Sequence, residues 1–209
     1  VLIGGDHEVA RLGVQWLLIA PPFKVAGSVA TAAEALQCLK EQPVDLVLLG
    51  LRLSDGNGLD LLEQIRKLHT ELPVVVFSAY ENPTYIARAS ALGAADYLLK
   101  SVSSTTLHDA LHRIVTGKAA DSDRLLHMIQ KTMRERVDVS QLPTDFPLTS
   151  RETQVLRHIG LGLSNKDIAK SLCISVETVK EHVQHVLKKI DAADRTDAAV
   201  RAIKSGILN

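Results

Sequence analysis

The chain opens with short apolar runs that alternate with longer amphipathic stretches. The runs are VLIG at residues 1–4, FKVAGSV from Phe23, VDLVLL from Val44, LPVVVFS from Leu72 and ADYLL from Ala95. Short, β-rich runs of this kind predict strands. The segments between them repeat apolar residues at helical spacing, as in Leu59, Leu62 and Ile65, or Leu107, Leu111 and Ile114. Five strands alternating with five helices predict a doubly wound α/β domain over residues 1–117, a five-stranded parallel sheet covered on both faces. Ligands of such sheets meet the chain beyond the carboxyl ends of the strands. Gly4, Gly5, Asp6, Gly50, Ser78 and Lys100 fall at those ends.

The pattern then changes twice. Residues 118–147 are polar, with Leu126, Ile129 and Met133 at helical spacing and an extended section between Pro143 and Pro147, so they predict a linker containing one helix. Its apolar stripe suits packing against its own domain or a dimer seam. From Leu148 onward the chain reads as short helices. Thr149 and Glu152 form a capping box, Gly162 closes the helix they start, and Ser164, Ser175 and Asp194 are placed to cap three more. Four helices in residues 148–209, with a tight turn between the second and third, predict an all-α helix-turn-helix domain.

Composition narrows the classes. No apolar run approaches the roughly 20 residues of a membrane helix, and VLIGG reads as the interior of a first strand rather than as a signal peptide. Cys38 and Cys173 share no metal-like or redox-like spacing, which fits a reducing cytoplasm without disulfides. Net charge is zero, yet residues 148–209 carry ten Lys or Arg against seven Asp or Glu, a bias of +3 that permits nucleic-acid binding. Enzyme signals are missing: there is no G-x-S-x-G, P-loop or G-x-G-x-x-G. HDALH, His108 to His112, has zinc-protease spacing but Asp in place of Glu and no third ligand, so both histidines are expected to face solvent. No catalytic residue, metal or cofactor is expected.

The third helix of the last domain can be tested by angle, at about 100° per residue. Val176, Val179, Val183, Leu187 and Ile190 fall on one apolar side, and Glu177, Lys180, Glu181, Gln184 and Lys188 collect on an adjoining sector. One face packs and the next is free for a major groove, where Lys suits guanine and Gln suits adenine.

These residues also carry a resemblance. The stretch from Leu148 to Leu208, with GLSNKDIA, TVKEHV and DRTDAAV, closely resembles the LuxR-type DNA-binding domain of NarL/FixJ response regulators. DGNGLDLL, the Ser78 strand end and ADYLLK resemble a receiver domain, so the likeness covers nearly the whole chain. A working receiver holds Mg²⁺ with acidic side chains at its first strand end and accepts a phosphoryl group on an aspartate at its third. Hard cation and phosphoryl transfer both need those oxygens. Here the phospho-aspartate position is Gly50, one position of the acidic pair is Gly5, and Asp6 alone remains. Ser78, Tyr97 and Lys100 match the hydroxyl sensor, the aromatic switch and the phosphate-pairing lysine. The expectation is a degenerate phosphorylation pocket, with Asp6 and Lys100 as an ion pair replacing Mg²⁺ and phosphate, or a small ligand or regulatory protein taking the pocket instead. A conventional regulator phosphorylated elsewhere, as at Asp55, is the remaining alternative.

In the second domain the resemblance assigns base contacts to Lys180, Glu181 and Gln184. It assigns phosphate contacts to Thr178, His185 and Lys188, joined by Asn165 and Lys166. Glu181 departs from what a phosphate-rich surface favours. The last helix, Asp194 to Ile203, matches a dimerisation helix. The implied protein is a cytoplasmic transcription regulator, a homodimer on double-stranded DNA.

Overall fold

A computed structural model describes residues 1–118, 124–134 and 147–208. The section between Pro143 and Pro147 lies, apart from Pro147, outside the described residues. The chain separates into two compact units, one of Val1–Glu81 with Leu92–His127, the other of Asn82–Ala91 with the chain from Met128 onward.

The first unit is built on five parallel strands: β1 (Leu2–Gly4), β2 (Gly27–Val29), β3 (Val47–Leu49), β6 (Val74–Ser78) and β7 (Asp96–Leu99), in the order β2-β1-β3-β6-β7. Two-residue strands β4 (Arg52–Leu53) and β5 (Gly56–Asn57) form a separate antiparallel hairpin. The central strands read as continuous apolar runs because both faces are covered. Leu46, Leu48, Val74 and Val75 are almost wholly buried. Helices α1 (Glu8–Leu17), α2 (Ala32–Glu41), α3 (Gly58–Leu68) and α5 (Ser104–Val115) accompany this sheet, and α4 (Pro83–Ala91) groups with the second unit. In α1 only Val14 is buried, and Val9, Leu12 and Trp16 stay exposed.

One close approach fixes the loop after β3. A Cβ on Gly58 would lie 1.9 Å from the Gly50 carbonyl oxygen, so the chain can fold back onto Gly50 only where residue 58 has no side chain. The Gly58 amide then donates to Leu51 O at 2.8 Å and starts α3.

The second unit contains α7 (Ser150–Gly160), α8 (Asn165–Leu172), α9 (Val176–Lys189) and α10 (Arg195–Lys204), after α6 (Leu125–Arg134). Leu126 and Met133 of α6 are buried. Every expected cap is made: Thr149 with Glu152 and Ser164 with Asp167 form capping boxes, Ser175 Oγ accepts from the Thr178 amide, and the Asp194 carboxylate accepts from the Asp197 amide. Gly162 turns the chain at φ +76°, a conformation that costs glycine little. Val179, Val183, Val186 and Ile190 bury the inner side of α9 against Val155, Leu156 and Ile159 of α7.

Candidate functional site

At the carboxyl edge of the sheet the strand ends meet as the pattern requires. Gly4 ends β1, Gly50 follows β3, Ser78 ends β6 and Lys100 follows β7. A cavity of about 170 Å³ there is lined by Asp6, His7, Gly50, Leu51, Arg52, Phe77, Ser78, Ala79, Tyr80 and Lys100. The Gly50 amide donates to Gly4 O at 2.8 Å, and the Lys100 amide donates to Ser78 O at 2.7 Å, so backbone bonds hold the strand ends together without a central acid.

The acid that remains is already occupied. His7 Nδ1 lies 2.7 Å from Asp6 Oδ1, and Arg52 Nε lies 3.6 Å from Oδ2. Burial alone would raise the Asp6 carboxyl, but the bond from His7 and the Arg52 charge outweigh it and hold the group below its ordinary value. The Asp6–Lys100 ion pair expected from the sequence does not form. That expectation assumed a buried lysine, whereas Lys100 is exposed and its ammonium incurs no large desolvation cost.

The donor set does not fit Mg²⁺. Gly5 and Gly50 offer no oxygen from a side chain, and the two Asp6 oxygens already face His7 and Arg52. Among the described residues no group of three or more His, Cys, Asp or Glu is placed to hold a metal. Arg11 lies on the Gly5 side, where its Nη1 donates to Gly5 O at 2.5 Å.

Ser78 and Tyr97 converge on Tyr80. Ser78 Oγ accepts from the Tyr80 amide at 2.9 Å, and the buried Tyr97 hydroxyl donates to Tyr80 O at 2.6 Å. Asp55 is committed elsewhere: its carboxylate accepts from the Ala32 amide at 2.8 and 3.0 Å, capping α2 from outside the helix.

In the second unit, Lys180, Glu181, Gln184, His185 and Lys188 are all exposed along α9. Lys180 Nζ is 3.8 Å from Glu177 Oε1, a loose surface pair. Thr178 is half-buried, its Oγ1 2.9 Å from Ser175 Oγ. Asn165 Oδ1 accepts from Arg195 Nη1 at 2.9 Å, and Lys166 is exposed beside it. Lys189, next to this face, is structural: its Nζ donates to Glu152 Oε2 at 2.7 Å.

Comparison with known proteins bears on both sites. Residues 1–112 match the response regulator receiver domain, more than half of the chain. The chain belongs to the response regulators. Residues 146–202 match the bacterial regulatory proteins of the luxR family, so this response regulator is of the NarL/FixJ type, a DNA-binding regulator and not an enzyme. The response regulator protein VraR of Staphylococcus aureus is 29% identical over 209 residues, covering 100% of this chain and 98% of VraR. The Salmonella typhimurium RcsB response regulator, in a structure describing conformational dynamism for DNA interaction, has a TM-score of 0.58 at 19% identity over 97% of each chain. A structure of two RcsB dimers bound to two parallel DNAs has a TM-score of 0.57 at 20% identity over 98% of this chain and 97% of that one. At these identities the solved structures speak for the fold alone.

Three features of the response regulator were missed from sequence. Arg52, the partner of Asp6, sits in a hairpin too short to show alternation. His108 does not face solvent as expected: it is half-buried, its Nε2 meets Leu17 O at 2.5 Å, and its ring packs edge-on against Phe23 at 5.3 Å, while His112 is exposed. His158 is wholly buried in α7, with Nδ1 2.7 Å from Gln154 O and Nε2 2.8 Å from Ser171 Oγ. The carbonyl can only accept, so Nδ1 carries the proton and Ser171 donates to Nε2. Burial pushes this imidazole below its ordinary value. No helix among the described residues is long and apolar enough to cross a membrane.

Proposed function

We propose that this response regulator controls transcription as a dimer on duplex DNA, without phosphoryl transfer. The domains are a receiver at 1–117, a linker at 118–147 and the helix-turn-helix at 148–209. The carrying observation is the β3 end: Gly50 supplies no nucleophile, Gly5 supplies no metal ligand, and Asp6 is taken by His7 and Arg52. Such a receiver is degenerate by loss of carboxylates rather than by loss of fold. Phosphorylation at Asp55 is opposed by the Ala32 amide, whose N–H both carboxylate oxygens already share. An input through a small ligand or a regulatory protein at the receiver takes the place of the phosphoryl group.

On the DNA side, Lys180, Glu181 and Gln184 face bases, and Thr178, His185, Lys188, Asn165 and Lys166 face phosphates. Glu181 accepts from cytosine N4 or else weakens binding. Apolar residues left exposed on α10, Val200 at 42% and Ile203 at 59%, support a dimer seam, and the exposed Val9, Leu12 and Trp16 of α1 offer a second self-association face. The RcsB dimers bound to DNA are a precedent for a dimer on DNA. Reducing surroundings suit the free Cys38 and Cys173, and the cytoplasm is the proposed location.

The test has two arms. Incubation with acetyl phosphate and Mg²⁺ leaves the intact mass unchanged, and selection from genomic fragments recovers an enriched motif with paired half-sites. A gain of one phosphoryl mass, mapped to Asp55 or Ser54, overturns phosphorylation independence. Recovery of no enriched motif overturns the reading of α9.

A further inference from the structure

Arg195 opens α10, but its side chain ends at the start of α8. Nη1 donates to Asn165 Oδ1 at 2.9 Å and Nη2 donates to Leu163 O, so one guanidinium fork spans acceptors on either side of the α8 cap, Ser164. The two bonds close 30 and 32 residues of sequence. Leu163 is wholly buried, and Arg195 and Asn165 are half-buried. The chemistry of this pair fixes more than position. A guanidinium has N–H donors and no acceptor, so the amide atom that meets it can only be the oxygen. The Asn165 NH2 is then turned to the other side, where it has no hydrogen-bond partner among the described residues.

We propose that Arg195 is a positioning residue for DNA binding, which locks the Asn165 amide with its NH2 outward for a backbone phosphate and does not itself touch the DNA. The inference rests on the reading that Asn165 faces a phosphate, and it adds how that contact is set. The two ends of an amide are nearly the same size, so without a directing partner the group turns over freely. Their effects on a phosphate are opposite: the NH2 donates to it and the oxygen repels it. Both arms of the Arg195 fork are already engaged, which leaves Asn165, and not Arg195, to meet the DNA.

Bare acceptors are costly at this helix start because it already carries an acid. Asp167 Oδ2 accepts from the Ser164 amide at 3.2 Å and from Ser164 Oγ at 2.7 Å, completing the capping box. A phosphate approaching Asn165 meets the field of that carboxylate, and an uncovered Leu163 O or Asn165 Oδ1 adds to the repulsion. Arg195 covers both oxygens and brings a permanent positive charge that offsets Asp167. Through this one side chain α10 takes a share in the phosphate grip of α8.

The experiment measures the affinity of the full chain for a random-sequence duplex across a range of salt, because phosphate contacts are made without regard to sequence. The parent, Asn165→Ala, Arg195→Ala and the double variant form a cycle, each read below its own melting midpoint. Asn165→Ala should weaken binding about tenfold, the worth of one hydrogen bond to a charged oxygen. Arg195→Ala should weaken it about as much in the parent and by less than about twofold in the Asn165→Ala background, with a salt slope within about half a unit of the parent's. If Arg195→Ala does not fold, Arg195→Lys takes its place; it keeps the charge and one donor, so a smaller loss of about threefold is expected, again absent in the Asn165→Ala background. Asn165→Asp separates contact from structure: its carboxylate still accepts from Arg195, so the melting midpoint should hold while binding falls for want of an NH2. Additive losses, an affinity of Arg195→Ala or its Lys substitute equal to the parent's, or a salt slope lower by about one, the mark of a direct phosphate contact, each overturn the positioning role and leave Asn165 its own. Binding by Asn165→Ala or Asn165→Asp as tight as the parent's overturns the reading of Asn165 as a phosphate contact, and the inference with it.

Discussion

The receiver pocket and the α9 face distribute fold and function differently. At the pocket, the residues that would do chemistry are not the residues that hold the backbone. Gly50 is fixed through its amide to Gly4 O and through the close packing of Gly58, and none of these contacts involves a carboxylate. Two acids can therefore be absent while the five-stranded sheet keeps its order. On α9 packing and the proposed DNA reading share one helix, with Val179, Val183 and Val186 buried between exposed Lys180, Gln184 and Lys188. On the proposed function, chemistry carried on backbone-held loops can be lost without structural cost, whereas a reading face is tied to its packing face by helical geometry.

The sharpest way to break this contrast is to strike the pocket where the backbone needs it. Gly58→Ala places a methyl group against the Gly50 carbonyl, and nothing flexible is there to yield. A loss of about 3 kcal/mol or more in receiver stability is expected, read by urea unfolding. A Gly58→Ala receiver as stable as the parent would mean that the loop is not fixed by this approach.

Next in size are the proposed DNA contacts. Lys180→Ala or Gln184→Ala should cost about 1–3 kcal/mol at a specific site, and Lys188→Ala should weaken all sequences alike and reduce the salt slope by about one. Because these side chains are exposed, unfolding should move by no more than about 0.5 kcal/mol. A larger loss of stability than of affinity would show that the two faces of α9 are not separable.

Much of this was legible in the chain. The five strands follow from apolar runs, and the 100° periodicity of α9 identified Val179, Val183 and Ile190 as its packed side. Caps were readable because Thr149–Glu152 and Ser164–Asp167 act over three residues. What escaped depends on segments distant in sequence closing on one another. Arg52 reaches Asp6 only through a two-residue hairpin, and Asp55 caps α2 across 23 residues. The side chain of Arg195 runs from α10 to Leu163 O and Asn165, and half-burial lowers its pKa. Lys100 misled because a strand-end position implied burial, which the fold does not impose.

Restoring the acids sharpens the contrast further. A Cβ at Gly5 would meet only Arg11 Cγ, at 4.0 Å, whereas one at Gly50 would lie 3.3 Å from Gly4 O and require a shift of a few tenths of an ångström. Gly50→Asp alone should be poorly phosphorylated, since no second carboxylate offsets charge through a cation. The double variant Gly5→Asp with Gly50→Asp should gain measurable Mg²⁺ binding and phosphorylation by acetyl phosphate. Equal phosphorylation of single and double variants would falsify the view that two missing carboxylates disable this receiver.

The smallest expected effect concerns pH and belongs to the reading domain. In the unfolded chain the His158 imidazole titrates at its ordinary value of 6.5, while in the fold burial pushes it lower. Above 6.5 both states hold it neutral and the buried ring contributes its full stability. Between the two values the unfolded chain binds a proton that the folded one refuses, so stability falls as pH falls and is lowest below the folded value. This loss begins before Glu152 and Asp197 protonate, because their ordinary values of 4.5 and 3.8 are themselves lowered in the fold. For Glu152 burial works the other way and is outweighed by bonds from Lys189 and Thr149; for Asp197 the bonds come from Arg201 and the Ala193 amide. The thermal midpoint of the second unit should therefore decline as pH drops below 6.5. The chain has seven other histidines besides His158, 8 in all. Their contribution is removed by comparison with His158→Asn, whose amide can still donate to Gln154 O. The variant should be less stable near neutrality and show a flatter midpoint against pH. A slope as steep as the parent's would assign the pH dependence to another group and leave His158 a neutral spacer in the core.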